Sequence, residues 1–567
     1  MPETPAITIS LLNLAWATVI TVSLAGWGNL AKKLARAHGL PTEPWLAPAV
    51  GAACFILGAG WLDLLGWATP IPLVTITAGG IILWMAKCGE TTSPFENLDW
   101  GRPEKTILAC GTLVALMVCH ARQCGAWDDT SGYFPVCREM LAHGSSWAPM
   151  SLRRALTWGG QFPLQGLGML GTGDTGGRVY DPAVPILILT AMALNLPTEG
   201  WKKTLTGCAL ILLPLTSTNS APAALVCVLL AGAWQTRKNR PLMILCVAAA
   251  TALRTQSIGF TAVFLAAELL ENTRSKGPKA ALKAAALWAA ALAGLWAPFA
   301  IMQMAQFGTP CTLVWPGKVN PEYLDLGGTW SEGMLMLGSL VAIAPVPIVM
   351  LAMGLRKECT RSICAAALVT VAAGTFMLTD LPTDFVGRYL WPYAASGLIC
   401  TVLSTPNRTA PWMLAVLAWP LLSFSSNFVT DREAYAAKAE KTDAAEAEEI
   451  QKRLPEGAKI ALLAVWVNLF DPSKHKILNL DVIQAVGQVP GGSGSKEDWK
   501  KWARAADIDY LIDDKRQETP TQRVKKHFKE IWLKDRLKWA ETMKEAEKWF
   551  PSKQMGPFRI IDLREGI

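Results

Sequence analysis

Metal-ligand spacings, phosphate-loop signatures and charged residues are scarce in this sequence. Its 13 cysteines are scattered, with no CxxC pair and none after Cys400, and there are only five histidines. That composition argues against a zinc site. The one glycine run that superficially suggests a phosphate loop, Gly491-Gly492-Ser493-Gly494-Ser495, lacks the following Lys-Ser/Thr and reads as a plain loop. Residues Met1 to Ala6 carry no basic stretch of the kind that opens a cleavable signal peptide, so the first apolar segment is expected to stay as a span. Charged residues make up 17% of the chain and hydrophobic ones 51%, against about 25% and 45–50% in soluble domains. The net charge of +8 resides largely in short loops between apolar segments, where the positive-inside rule places Lys and Arg. No nucleic-acid partner is expected.

What is present is a chain with two unlike parts. Charge is sparse up to about Phe424 and dense beyond it, which predicts a transmembrane domain over 1–424 and a soluble domain over 425–567. Apolar runs of membrane length fall near 8–28, 44–66, 70–87, 105–121, 183–196, 203–217 and 219–234. Others fall near 241–253, 256–270, 282–303, 333–354, 361–379, 389–403 and 410–424. The expected fold is therefore an α-helical polytopic membrane protein with about 14 spans. Lys32-Lys33, Lys202-Lys203, Arg237-Lys238-Arg240, Arg274, Arg356-Lys357 and Arg408 then all fall on one side, the cytoplasmic one. The acidic loop after the fourth span, the loops at 304–332 and 380–388, and the C-terminal domain lie outside. Cys124, Cys137 and Cys311 are in such external loops, where a disulfide is one expectation. The external 166–182 stretch is rich in glycine, which suits either close backbone approach to a ligand or a hinge.

Beyond Phe424, a charged, Ala-rich helix is expected over 431–453. Apolar runs at 461–467, 508–513 and 558–563 suit buried strands, with helices between them at about 496–506 and 521–548. That alternation predicts a small α/β domain with a mainly parallel sheet.

The chemistry-bearing stretch is Trp127-Asp128-Asp129-Thr130-Ser131-Gly132-Tyr133-Phe134, followed by Arg138-Glu139-Met140-Leu141 and Gly144, then Arg153-Arg154 and Gly159-Gly160-Gln161. It follows directly on an apolar span. Together with Gly387-Arg388-Tyr389-Leu390-Trp391-Pro392 near a late span, this pattern resembles the GT-C glycosyltransferases, in particular a bacterial branch with a C-terminal soluble domain. These are polytopic enzymes that take sugars from polyprenyl-phosphate carriers. The likeness runs from about 105 to 400. Three spans precede the one leading into the acidic loop where the simplest members have one in total, and the second acidic residue is Asp where many relatives have Glu.

The resemblance implies an inverting transfer in a bacterial inner membrane, from a polyprenyl-phosphate sugar to a lipid, glycan or protein acceptor on the outer face. A carboxylate there takes the acceptor proton. The four-residue spacing to Tyr133 favours Asp129 as that base, with Asp128 as its partner. A cation beside the leaving phosphate stabilises the transition state; Arg388 is the first candidate, with Arg254, Arg153, Arg154 and Lys318 behind it. Tyr133, Gln161, Arg178 and Tyr389 are the expected substrate contacts. Arg254 fits either an external rim near the donor phosphate or a snorkelling side chain. An acidic pair also suits Mg²⁺ or Mn²⁺ through oxygen ligands, and relatives with this signature need not use a metal. The rival expectation is a transporter or flippase of a lipid-linked glycan, which calls for polar residues at mid-membrane depth in interrupted helices.

Overall fold

The computed structural model describes residues 6–35, 43–86, 100–121, 133–146, 157–213, 222–312, 329–343, 345–377, 383–409, 412–413, 416, 443–463, 467–479, 495–515 and 543–564, with backbone alone at 6, 121, 178, 179, 182, 342, 343, 383–388 and 468. Unbroken apolar runs become helices because a backbone that cannot reach water must bond to itself. Helices α1 (Ala6–Leu34), α2 (Leu46–Leu64) and α12 (Pro278–Phe307) each contain a segment long and apolar enough to cross a membrane. Between them run α3 (Pro70–Met85), α4 (Arg102–Ala121), α5 (Phe134–His143), α6 (Phe162–Thr172) and α7 (Asp174–Leu194). Then come α8 (Gly200–Leu212), α9 (Ala224–Gln235), α10 (Arg240–Leu253) and α11 (Ser257–Lys276). The set closes with α13 (Trp330–Ile343), α14 (Pro345–Leu355), α15 (Arg361–Met377) and α16 (Thr383–Ser404).

Small residues set how closely the first three helices meet. A Cβ on Gly28 would fall on the carbonyl oxygen of Ala47, one on Gly51 on that of Leu24, and one on Gly26 on that of Gly80. Backbones therefore touch directly along α1, α2 and α3. Helix α9 lies inside the bundle, with every residue from Ala224 to Trp234 buried. An element apolar on all sides has to be enclosed. One contiguous core takes in α1, α2, α9, α10, α15 and α16.

The C-terminal region is a five-stranded sheet in the order β2-β1-β3-β5-β4, built from β1 (Lys459–Leu463), β2 (Lys476–Asn479), β3 (Tyr510–Asp514), β4 (Ser552–Met555) and β5 (Phe558–Asp562). Alternation along β1 divides its side chains between two small cores. Ile460 and Leu462 pack with Ile450 and Phe470, whereas Ala461 packs with Trp499, Trp502 and Phe550.

Several expectations change. The sheet is mixed: β1 pairs in parallel with β2 and β3, but β5 is antiparallel to β3 and β4. The apolar third strand followed β3 in sequence, yet it re-enters through the β4–β5 hairpin, which the hydrophobic pattern could not reveal. Residues 166–182 are largely helical, in α6 and the start of α7, because glycines there let the two helices meet: a Cβ on Gly168 would press on Gly176. Residues 333–354 form two helices, not one. The helix at 431–453 is seen over 443–453 and that at 521–548 over 543–549. The domain boundary near 424, the span at 410–424 apart from residues 412, 413 and 416, and Cys124 lie outside the described residues. Cys137 and Cys311 are both buried, and the Cys137 thiol lies 3.4 Å from the Gln165 side-chain carbonyl oxygen.

Candidate functional site

The site is built where α10 ends. Helix α10 starts on an Asn239 cap, whose side chain accepts from the Leu242 amide at 3.3 Å, and runs to Leu253. Arg254 then leaves the helix with extended backbone (φ −136, ψ 109), and α11 starts three residues later. This break places a guanidinium inside the bundle, with the Arg254 residue 4% exposed. It lies over the Tyr389 ring at 5.4 Å, a cation–π contact. Its Nη1 has no hydrogen-bond partner among the described residues. A guanidinium stays charged and offers five donors, and burying such a donor is costly unless it is hydrogen-bonded.

The expected Gly-Gly-Gln turn arrives at the same place. Gly159 takes a left-handed φ of 88°, and the Gly160 amide donates to the Ala252 carbonyl at 3.1 Å, two residues before Arg254. A side chain on Gly160 would collide with that carbonyl, so glycine is needed there. Gln161 is 1% exposed, and its Nε2 also lacks a partner among the described residues. The turn is held from its far side by α12: Gln303 Nε2 donates to the Thr157 carbonyl at 2.8 Å, and the Trp158 and Trp296 rings sit 5.1 Å apart.

A ring of polar groups from α16 and α11 backs Arg254. Tyr393 and Ser257 share a hydrogen bond of 3.1 Å between hydroxyls, and Phe260 stacks on Tyr393 at 5.6 Å. Cys227 donates to the Pro392 carbonyl at 3.2 Å, which fixes α16 at its internal proline. The Arg254 charge acts on both Tyr393 and Cys227, and Asp181 acts on Cys227 as well. Asp181 interrupts α7 with non-helical backbone (φ −117, ψ 111), as a residue before proline tends to do. Its carboxylate accepts from the amides of Ala223, Ala224 and Leu225 at 3.0, 3.3 and 2.7 Å, so it caps the start of α9.

Helix α5 forms the outer part of the region. Arg138 Nη2 meets the Asp174 carboxylate at 2.9 Å. His143 Nε2 sits 3.0 Å from the Pro472 carbonyl of the C-terminal region. Glu139 is half-buried between them. Burial pushes its carboxyl above the usual carboxylate range, against the opposing pull of His143 and Lys476. Tyr133, at the head of α5, packs against the main core.

Of the residues singled out from sequence, Arg254 and Tyr389 are in contact, and Gln161 follows the glycine whose amide bonds to Ala252, two residues before Arg254. Tyr133 stands on α5. Arg178 and Arg388 lie in α7 and α16, with only their backbones described, and Asp128, Asp129, Arg153, Arg154 and Lys318 lie outside the described residues. Ser257, Tyr393 and Asp181 were not anticipated. Only the Asp181-Pro182 dipeptide beside an apolar run offered a signal. No group of three His, Cys, Asp or Glu side chains suited to a metal ion occurs among the described residues. Comparison with family models and with curated proteins gives no match.

Proposed function

We propose that this chain is an integral membrane glycosyltransferase of the GT-C type, with about 14 spans, moving a sugar from a polyprenyl-phosphate-linked donor to an acceptor on the extracytoplasmic face. The observation that carries the proposal is the buried Arg254, whose Nη1 has no hydrogen-bond partner among the described residues, beside the Gly159-Gly160-Gln161 turn and Tyr389. Burying a guanidinium is costly, and ionisable groups inside membrane bundles are functional by default. An anionic group on a lipid carrier supplies the missing acceptor. The bacterial inner membrane, with the C-terminal domain outside, fits the one-sided basic clusters.

In the proposed reaction Asp129, oriented by Asp128, takes the proton of the acceptor hydroxyl as that oxygen attacks the anomeric carbon. The bond from that carbon to the phosphate oxygen breaks, and polyprenyl phosphate leaves. Arg388, the first candidate from the sequence, and Arg254 offset the charge on the departing phosphate. Gln161 and Tyr389 hold the donor.

A second proposal, transport of a lipid-linked glycan, has one observation in its favour: the interruption of α7 at Asp181. Transporter helices break to leave terminal amides open for a substrate anion. Here Asp181 itself occupies those amides, which weighs toward transfer. The deciding experiment is release of polyprenyl phosphate from a panel of lipid-linked sugars, with membrane extract as acceptor source. Release by the wild type that disappears in Asp129→Asn supports transfer and its base. Loss in Asp128→Asn alone reverses the two roles. No release with any donor from folded protein favours transport.

A further inference from the structure

Helix α5 links the membrane bundle to the C-terminal region, packing on both α6 and Val467–Leu469. The chain just beyond Leu469 is held in place by its own bonds. The Asp471 amide donates to the Gln451 side-chain oxygen at 2.7 Å, and its carboxylate accepts from the Ser473 amide at 2.9 Å and hydroxyl at 2.6 Å. The Gly457 amide donates to the Lys474 carbonyl at 2.9 Å. That turn presents the Pro472 carbonyl to His143 Nε2 at 3.0 Å. The bond needs a proton on Nε2, which one neutral tautomer and the imidazolium both supply, so it survives titration of the ring. Glu139 lies one turn back along α5, with its side chain 13% exposed. Its Oε1 is 3.9 Å from His143 Nε2, too far for a hydrogen bond. Its Oε2 is buried with no partner among the described residues.

We propose that this contact is a proton-operated latch: the C-terminal domain seats on α5 with the Glu139 carboxyl protonated and lifts off when that carboxyl ionises. An ionised carboxylate with a buried oxygen that accepts no hydrogen bond is costly. Lifting the domain returns it to water, and protonation removes the charge. Seating therefore takes up a proton and gains by up to about tenfold for each pH unit of acidification. The other charges in reach leave this dependence standing. Lys476, at the start of β2, acts on Glu139, but its Nζ is bonded to Asp507 at 3.0 Å. Arg138 is held by Asp174 at 2.9 Å and also acts on Asp471, and Lys474 lies 3.9 Å from Asp471. His475 is buried within the C-terminal region. Neither α6 nor Val467–Leu469 carries a charged side chain. Helix α5 begins shortly after Asp128-Asp129 in sequence, so the latch ties the segment with the proposed base to the acidity on the side that the C-terminal domain faces.

The test reads seating directly, whatever reaction the chain carries out. Hydrogen exchange of 134–143 and 467–479 is followed by mass spectrometry on the full-length protein in nanodiscs, from about pH 5 to about pH 8, with each rate divided by the intrinsic rate at that pH. In the wild type, protection of both segments should fall by about tenfold or more over that range, with β3 and α9 unchanged. Glu139→Gln should keep the acid level of protection throughout. His143→Ala should lower protection at every pH and keep the slope. Flat protection in the wild type, a slope that persists in Glu139→Gln, or one that disappears in His143→Ala overturns the proposal. Loss of protection in β3 together with the two segments also overturns it, because that marks unfolding of the sheet and not release of the domain.

Discussion

Asp63, in the last turn of α2, accepts hydrogen bonds from both the amide and the hydroxyl of Ser146 at 2.6 Å, and from the Ser145 hydroxyl at 3.1 Å. Three donors converge on one buried carboxylate, and this ties the end of α5 to the bundle. Asp63→Asn keeps the shape but removes the charge, and should cost about 1.5–3 kcal/mol, the range for bonds to a charged partner. Thermal unfolding in detergent, together with faster amide exchange over 140–146, reads it.

The neighbouring Gly144 ends α5 in the left-handed region at φ 84, and its carbonyl accepts from the Ala68 amide at 2.8 Å. A methyl there would collide with the Gly66 carbonyl oxygen. Gly144→Ala is expected to lower stability by at least about 1 kcal/mol from backbone strain alone, seen as a lower midpoint of thermal unfolding.

Arg254→Met should separate stability from function. Replacing an incompletely paired buried charge by an apolar side chain of similar volume is neutral or stabilising. Loss of a donor at the developing phosphate charge should cut turnover about hundredfold or more. Unfolding temperature and polyprenyl-phosphate release are measured on the same preparation. An unchanged rate would remove Arg254 from the donor site.

Glu139 makes stability depend on pH in a defined direction. Burial raises its carboxyl above the ordinary value of 4.5, so its favourable contribution is complete below that value and is lost as pH rises through the folded-state value. Glu139→Gln should therefore unfold at a higher temperature than the wild type at pH 7, and the two curves should converge at pH 4. A pH series of melting curves checks this.

In the C-terminal sheet, Arg559 on β5 meets Asp513 on β3 through bonds of 2.8 and 2.5 Å, with Glu547 at 3.0 Å. Arg559→Leu strands a buried carboxylate and should cost about 3–5 kcal/mol, while Arg559→Leu with Asp513→Leu should recover most of it. Protease resistance of the domain distinguishes the two variants.

Where apolar length alone decides, the sequence and the structure agree: α2, α3, α10 and the strands β1, β3 and β5 lie close to the positions their hydrophobic runs indicate. Disagreement arises where pairing decides. Strands β2 and β4 are four residues each, too short and too polar in the case of β4 to stand out. Arg254 and Gln161 were legible as residue types, a charge beside a span and an amide after two glycines. Their shared location depends on the Gly160–Ala252 hydrogen bond across 92 positions of chain, which no local pattern carries. Tyr393 and Ser257 look like ordinary span residues until the helices are packed.

The glycine contacts along α1, α2 and α3 have a mechanical consequence. Where side chains interdigitate, helices slide by changing rotamers, but at Gly26, Gly28 and Gly51 the first three helices meet through backbone atoms that have no rotamers to change. These three helices behave as a fixed post. If the proposed function holds, widening of the bundle to admit a long-chain carrier falls to helices that meet through side chains, as α13 and α15 do where Gly333 faces the Phe376 ring.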